Sequence, residues 1–334
     1  MSTLICPEEI LLRASRFMEE NPRLHASVMV EEVVRYLDPK PGGKHLELGV
    51  STGGHLLRVC KLISPGGFAV AVDLDGQAIE IARRRIEETL TECRVVFLQG
   101  DYGELPALLS PAGIPEDFFN SCVLDAGMSG FQLEGGRGFS YKRDQELDMR
   151  FDPGMKLTAK ELVNGASVEE LSRILAEVGD IPEAAKVAAA IAKARAIRPI
   201  NTTFELIEAV SEIWPEKMPY GKRMRRLGQL FMALRDIVNP GAKGLRGGIE
   251  HAVKYLSKNK GRFALLTFSG GENRVAKSVL NAYRRPGESN SDWVVKEITP
   301  GAVRPSRQEV KANPAAHSAM LRVFERRAVA QEKE

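Results

Sequence analysis

The chemistry of this sequence is concentrated in a glycine turn and a series of acids. A run of small residues, Gly49-Val50-Ser51-Thr52-Gly53-Gly54, leads into His55. Glycines there allow tight turning and let a ligand approach the backbone closely. Asp73, Asp101 with Tyr102 beside it, and Asp125 follow, each at or just after the end of a short apolar run. A carboxylate at a strand end can accept hydrogen bonds from both ribose hydroxyls of a nucleoside. Such acids also cap helices or simply end strands. An ordered series on consecutive strand ends favours a nucleoside-containing ligand.

These residues meet only if strands deliver them to one rim. Residues 44–50, 68–73, 94–98 and 120–125 are short apolar runs bounded by turn residues and read as strands. Residues 55–63 and 77–90 have helical spacing between them. This alternation predicts an α/β fold, a doubly wound, Rossmann-like parallel sheet that binds ligands at the strands' carboxyl ends. The turn is G-x-x-x-G-G rather than G-x-G-x-x-G, which argues against a pyrophosphate-gripping NAD site. S-adenosylmethionine suits the rim better. It has no phosphates, and its sulfonium and amino groups are cations that carboxylates attract.

Residues 157–164, 168–177, 182–194 and 203–213 read as helices, with Thr158 and Ser167 as N-caps, and no convincing strand lies among them. Strand character returns at 262–268, between helices at 245–256 and 272–283, and again at 293–298 and 320–325. The economical organisation is a core of residues 1–138 and 241–334 interrupted by a helical insertion at 139–240.

The chain has 334 residues, 43% hydrophobic and 27% charged, which excludes a mainly disordered chain. Its four cysteines, Cys6, Cys60, Cys93 and Cys122, form no C-x-x-C pair, and histidine is scarce. A structural zinc site is not expected, and free cysteines fit a reducing cytoplasm. There is no apolar run long enough to span a membrane and no secretory signature. The net charge is only +3. Residues 215–262, however, hold twelve Lys and Arg against three Asp and Glu. That local excess, including Arg223, Arg225 and Arg226, fits contacts to phosphates, although single charges of this kind usually form a solvated helix face.

Several segments together resemble the bacterial small-subunit ribosomal RNA cytosine-N4 methyltransferases. They are residues 25–37, Gly53-Gly54-His55, Asp73-Leu74-Asp75, Gly100-Asp101-Tyr102, and Leu124-Asp125-Ala126-Gly127-Met128-Ser129 with Gln132-Leu133. The most specific is Arg137-Gly138-Phe139-Ser140 leading to Leu147-Asp148-Met149-Arg150 and Asp152-Pro153, and the closing segment runs from Asn313-Pro314 to Glu325-Arg326. The resemblance implies a methyltransferase sheet with S-adenosylmethionine held by Gly53, Gly54, His55, Asp73, Tyr102, Asp125 and Gln132. Tyr102 would pack on the adenine.

The implied reaction needs no covalent nucleophile, because the exocyclic amine attacks the methyl group in line. Asp125 with Ser129 is the expected catalytic pair, accepting hydrogens of the target amine; Asp125 as a cofactor contact alone carries equal weight. His55 could touch the cofactor or simply begin a helix. Phe139 and Tyr141 could stack on a splayed-out base, or pin their loop. Asp148 and Arg150 are expected to form a structural pair. The implied partner is ribosomal RNA or the small ribosomal subunit, with no membrane, and a homodimer is the oligomer considered.

The chain departs from the pattern in two places. Thr267-Phe268-Ser269-Gly270-Gly271-Glu272-Asn273-Arg274 stands where the family has S-F-H-S-L-E-D-R, and Lys222-Arg223-Met224-Arg225-Arg226 precedes a partly matching Phe231-Met232-Ala233-Leu234-Arg235. Two further readings therefore stay open: methylation of another RNA site or a small molecule, and a non-catalytic paralogue that binds the cofactor or RNA.

Overall fold

The computed structural model describes residues 27–89, 91–128, 130–284 and 292–329. His25 of the opening segment, Cys6 and Ser129 lie outside them. By internal contacts the chain divides into two units, residues 1–130 with 242–334, and residues 131–241.

The first unit is built on seven strands: β1 Lys44–Leu48, β2 Phe68–Asp73, β3 Arg94–Gln99, β4 Ser121–Asp125, β5 Asn259–Thr267, β6 Trp293–Glu297 and β7 Met320–Ala328. Their order in the sheet is β3-β2-β1-β4-β5-β7-β6. Strands β1 to β5 pair in parallel. The parallel pairing expected of the alternating strands holds, and the late strand β7 runs antiparallel to both β5 and β6.

The central strands are buried on both faces, which is why they read as near-continuous apolar runs. Leu46, Leu48, Val70, Val72, Leu124 and Leu265 face one core layer with Leu245, Ile249 and Val253 of the helix Gly241–Tyr255. On the other face, Ala69 and Ala71 meet Leu56, Val59 and Cys60 of the helix Gly54–Ile63. From β1 the chain moves outward through β2 to β3, then returns to place β4 on the other side of β1. The carboxyl ends of β1 and β4 therefore flank a topological switch point, where open α/β sheets leave a crevice.

The second unit contains the helices Ala159–Gly165, Val168–Glu177, Ala184–Ile197, Thr203–Ala209 and Tyr220–Val238. Thr158 and Ser167 cap the first two as read from sequence, Thr158 with a complete capping box to Glu161. No helix among the described residues is long and apolar enough to cross a membrane.

Candidate active site

Gly49 and Gly53 are placed by backbone geometry, with φ of 80° and 78°, where a side chain would be strained. A Cβ on Gly49 would lie 2.4 Å from the carbonyl oxygen of Asp125, so β1 and β4 meet here at a distance only glycine allows. A Cβ on Gly54 would lie 2.0 Å from Ser27 Oγ, because the chain entering the helix Val30–Leu37 crosses the turn at that point.

Asp73 ends β2 with both carboxylate oxygens engaged. Ser51 N donates to Oδ2 (2.8 Å) and Asp75 N to Oδ1 (2.9 Å). Burial pushes its carboxyl up to about 6, against the pull of these backbone N–H groups. Asp75 is the N-cap of the helix Gly76–Glu88. Asp101 likewise serves its own turn, accepting from Gly103 N at 2.7 Å. Tyr102 follows it, half-buried against the core.

Asp125 ends β4. Gly127 N donates to its Oδ1 (2.8 Å), and His55 Nδ1 lies 4.0 Å from Oδ2. Burial raises the Asp125 carboxyl above its usual range, opposed by His55 and by the Gly127 N–H. The His55 ring is fixed from its other side, where Nε2 donates to the Val28 carbonyl (2.8 Å). A carbonyl can only accept, so the Nε2 hydrogen is specified by that bond and Nδ1 faces the carboxylate. His55 is thus both in the first helical turn and against Asp125. Gly53, Gly54, His55, Asp73, Tyr102 and Asp125 all belong to the first unit; Gln132, buried at 5% exposure, falls in the second.

Sequence reasoning passed over a polar chain beneath this turn. Glu47 and His45 alternate along β1 and point to the same face, both fully buried. Glu47 Oε1 accepts from Leu56 N (3.1 Å), a helix N-terminal donor that the N-cap Gly53 has no side chain to satisfy. Its Oε2 is 3.0 Å from His45 Nε2, and His45 Nδ1 is 2.9 Å from Ser121 Oγ. Burial pushes Glu47 up to about 8 and His45 down to about 3, so near neutrality this is a chain of neutral groups rather than an ion pair. An acid and a histidine at i and i+2 in an otherwise apolar strand were the available signal.

The altered run after β5 is an ordered turn. Ser269 caps the helix Gly270–Asn281, with a reciprocal capping box to Glu272. Glu272 Oε2 also accepts from Phe268 N at 2.6 Å. Asn273, where the family pattern has an acid, accepts from Arg322 Nε (3.3 Å).

In the second unit the expected substrate residues separate. Phe139 does not offer a face to a base: it is 6% exposed and stacked on Phe151, ring centroids 5.1 Å apart. Tyr141 meets Phe231 edge-on at 5.7 Å. Both pin their loop. Asp148 and Arg150 form the expected structural pair through two bonds, Nε to Oδ1 (2.7 Å) and Nη2 to Oδ2 (2.9 Å). Burial works against the Asp148 carboxylate, but the Arg150 guanidinium holds it below the usual range. Arg226 is also an internal tie, with Nε 3.2 Å from Glu183 Oε2 and Nη1 donating to Gln229. Arg223 Nε donates to the Trp214 carbonyl (3.1 Å). Arg225 and Lys222 are exposed on the helix Tyr220–Val238.

Residues 23–327 match the model of the MraW methylase family. The ribosomal RNA small subunit methyltransferase H of Desulfosudis oleivorans is 31% identical over 312 residues, 90% of this chain and 98% of that protein. Its namesake in Syntrophotalea carbinolica is 34% identical over 313 residues, again 90% of this chain and 98% of the relative. Among solved structures, TrmN from Thermus thermophilus matches 90% of this chain and 48% of its own, at 14% identity and a TM-score of 0.39.

Proposed function

The chain belongs to the MraW methylase family, and on that footing we propose that it transfers a methyl group from S-adenosylmethionine to the exocyclic N4 amine of a cytosine in small-subunit ribosomal RNA. Two relatives matched along nearly their whole length are named as ribosomal RNA small subunit methyltransferases. Within this chain, one observation carries the reading. A buried carboxylate, Asp73, and a partly buried one, Asp125, stand with Tyr102 and His55 at the rim where the Gly49 backbone meets β4. That donor set fits a cationic nucleoside without phosphates.

S-adenosylmethionine supplies the methyl group on a positively charged sulfonium. Asp73, held by Ser51 N and Asp75 N, is the ribose ligand in this reading, and Tyr102 supports the adenine. Asp125 accepts a hydrogen of the target amine. An amine conjugated with its ring is a poor nucleophile, and a carboxylate at its N–H takes up positive charge as the bond to carbon forms. His55 acts on Asp125 as a positioning residue, since the Val28 carbonyl fixes its ring. Ser129 completes the proposed set as a substrate contact.

The direct test uses methyl-labelled S-adenosylmethionine and small ribosomal subunits lacking the modification. Label recovered as N4-methylcytidine is the expected result. Label in another nucleoside would move the target, and cofactor binding without any transfer would overturn the reading.

The exposed Lys222 and Arg225 are the proposed phosphate contacts of the second unit. Converting both to Gln is expected to flatten the slope of log affinity for RNA against log salt by about 1–2. S-adenosylmethionine affinity should not move. An unchanged slope would return both residues to a solvated helix face.

A further inference from the structure

The helix Gly241–Tyr255 carries glycines at 244, 247 and 248, each in the helix interior, where glycine is less favourable than alanine. All three touch the same short segment, Tyr102-Gly103. A Cβ on Gly248 would lie 2.5 Å from Tyr102 Cδ2 and 3.0 Å from its Cε2. A Cβ on Gly247 would lie 2.8 Å from the Gly103 carbonyl oxygen, and one on Gly103 would lie 2.9 Å from Gly244 Cα. One turn further along, His251 Nε2 lies 3.1 Å from that same carbonyl oxygen and donates to it. Asp101 holds the segment from the other side through Gly103 N. The Tyr102 ring is therefore set against helix backbone at a depth no side chain would permit, and its turn is tied to the helix by a histidine.

We propose that Gly248 and His251 are positioning residues for the cofactor: Gly248 sets the depth of the Tyr102 ring, and His251 locks the turn that carries it. This rests on the reading that Tyr102 lies against the adenine. The seam gives that reading a physical cause for its precision. An aromatic platform stacks well only when its plane stays at one height. A rigid support adds affinity by removing the cost of ordering the ring on binding.

The test is a double-mutant cycle read by calorimetric titration of S-adenosylmethionine into the purified full chain. Gly248→Ala is expected to raise Kd about tenfold, matching Tyr102→Ala. In the Tyr102→Ala background, Gly248→Ala should change Kd less than twofold, because the ring it displaces is gone. His251→Leu should raise Kd severalfold, and His251→Gln, which keeps an N–H for the Gly103 carbonyl, should restore it. Additive effects in the cycle, or a Gly248→Ala Kd within twofold of the parent while Tyr102→Ala raises it, would overturn the positioning role and leave the adenine reading intact. An unchanged Kd in Tyr102→Ala itself would remove the adenine reading and the inference with it.

Discussion

Asp125→Asn should lower the rate of methyl transfer by about 10²–10³ while changing S-adenosylmethionine affinity less than threefold. The amide keeps the shape of the carboxylate and one oxygen to accept from Gly127 N. What it loses is the negative charge on the side that faces His55 Nδ1. In the proposed role that charge matters little in the ground state and grows in importance as the amine becomes cationic, so the loss belongs in kcat. The alternative role, a contact to the cofactor alone, makes the opposite forecast: a raised Kd with little change in kcat at saturation. Single-turnover rates at saturating cofactor, paired with calorimetric Kd values, separate the two. Because burial already pushes the Asp125 carboxyl up, the parent activity should also fall on the acid side as this group takes a proton.

The second large effect concerns the polar chain under the glycine turn, and here a substitution is expected to stabilise. Glu47 holds its proton in the folded protein up to about pH 8. An unfolded glutamate releases it near pH 4.3, by the usual model value. Between those values the folded state binds more protons than the unfolded state, so its stability falls as pH rises, by up to about 1.4 kcal/mol per pH unit. Above pH 8 the loss is complete. Glu47→Gln keeps an oxygen for Leu56 N and supplies an N–H toward His45, and it never ionises. The variant should therefore gain on the parent by about 4 kcal/mol between pH 5 and pH 8.5. Urea unfolding at pH 5.5, 7 and 8.5 reads this directly. Parallel stability curves for parent and variant would show that Glu47 is already ionised in the fold.

Much of this architecture could be read before any coordinates, for reasons that differ by element. β2 and β4 are covered on both faces, so burial writes itself into the sequence as near-continuous apolar runs. The rim acids were legible because they end those runs. Strand direction was not legible: β7 has the same apolar character whether it runs with its neighbours or against them. The helix Tyr220–Val238 was not delimited within the helical insertion because Lys222, Arg223, Arg225 and Arg226 load its opening turns. Its buried set, Leu227, Leu230, Phe231, Leu234 and Val238, begins only afterwards. The inward turn of Phe139 was hidden because its partner Phe151 lies twelve positions away, across a loop with no periodicity. Glu47 was hidden for the reverse reason: its partner sits so close that the strand pattern absorbed both residues.

The reversed strand bears on how the molecule is made. β7 is translated after β6, yet it lies between β5 and β6 and is the strand that joins them. Until β7 has been synthesised, β6 has no partner in the sheet and β5 presents an open edge with unpaired backbone groups. The helical unit interrupts the sheet in sequence but is itself continuous, so its residues are all available to fold well before the sheet can close. A nascent chain at that stage holds all the residues of the helical unit between two incomplete pieces of sheet. The unpaired edge of β5 would be the place where chaperones, or a second nascent copy, could intervene.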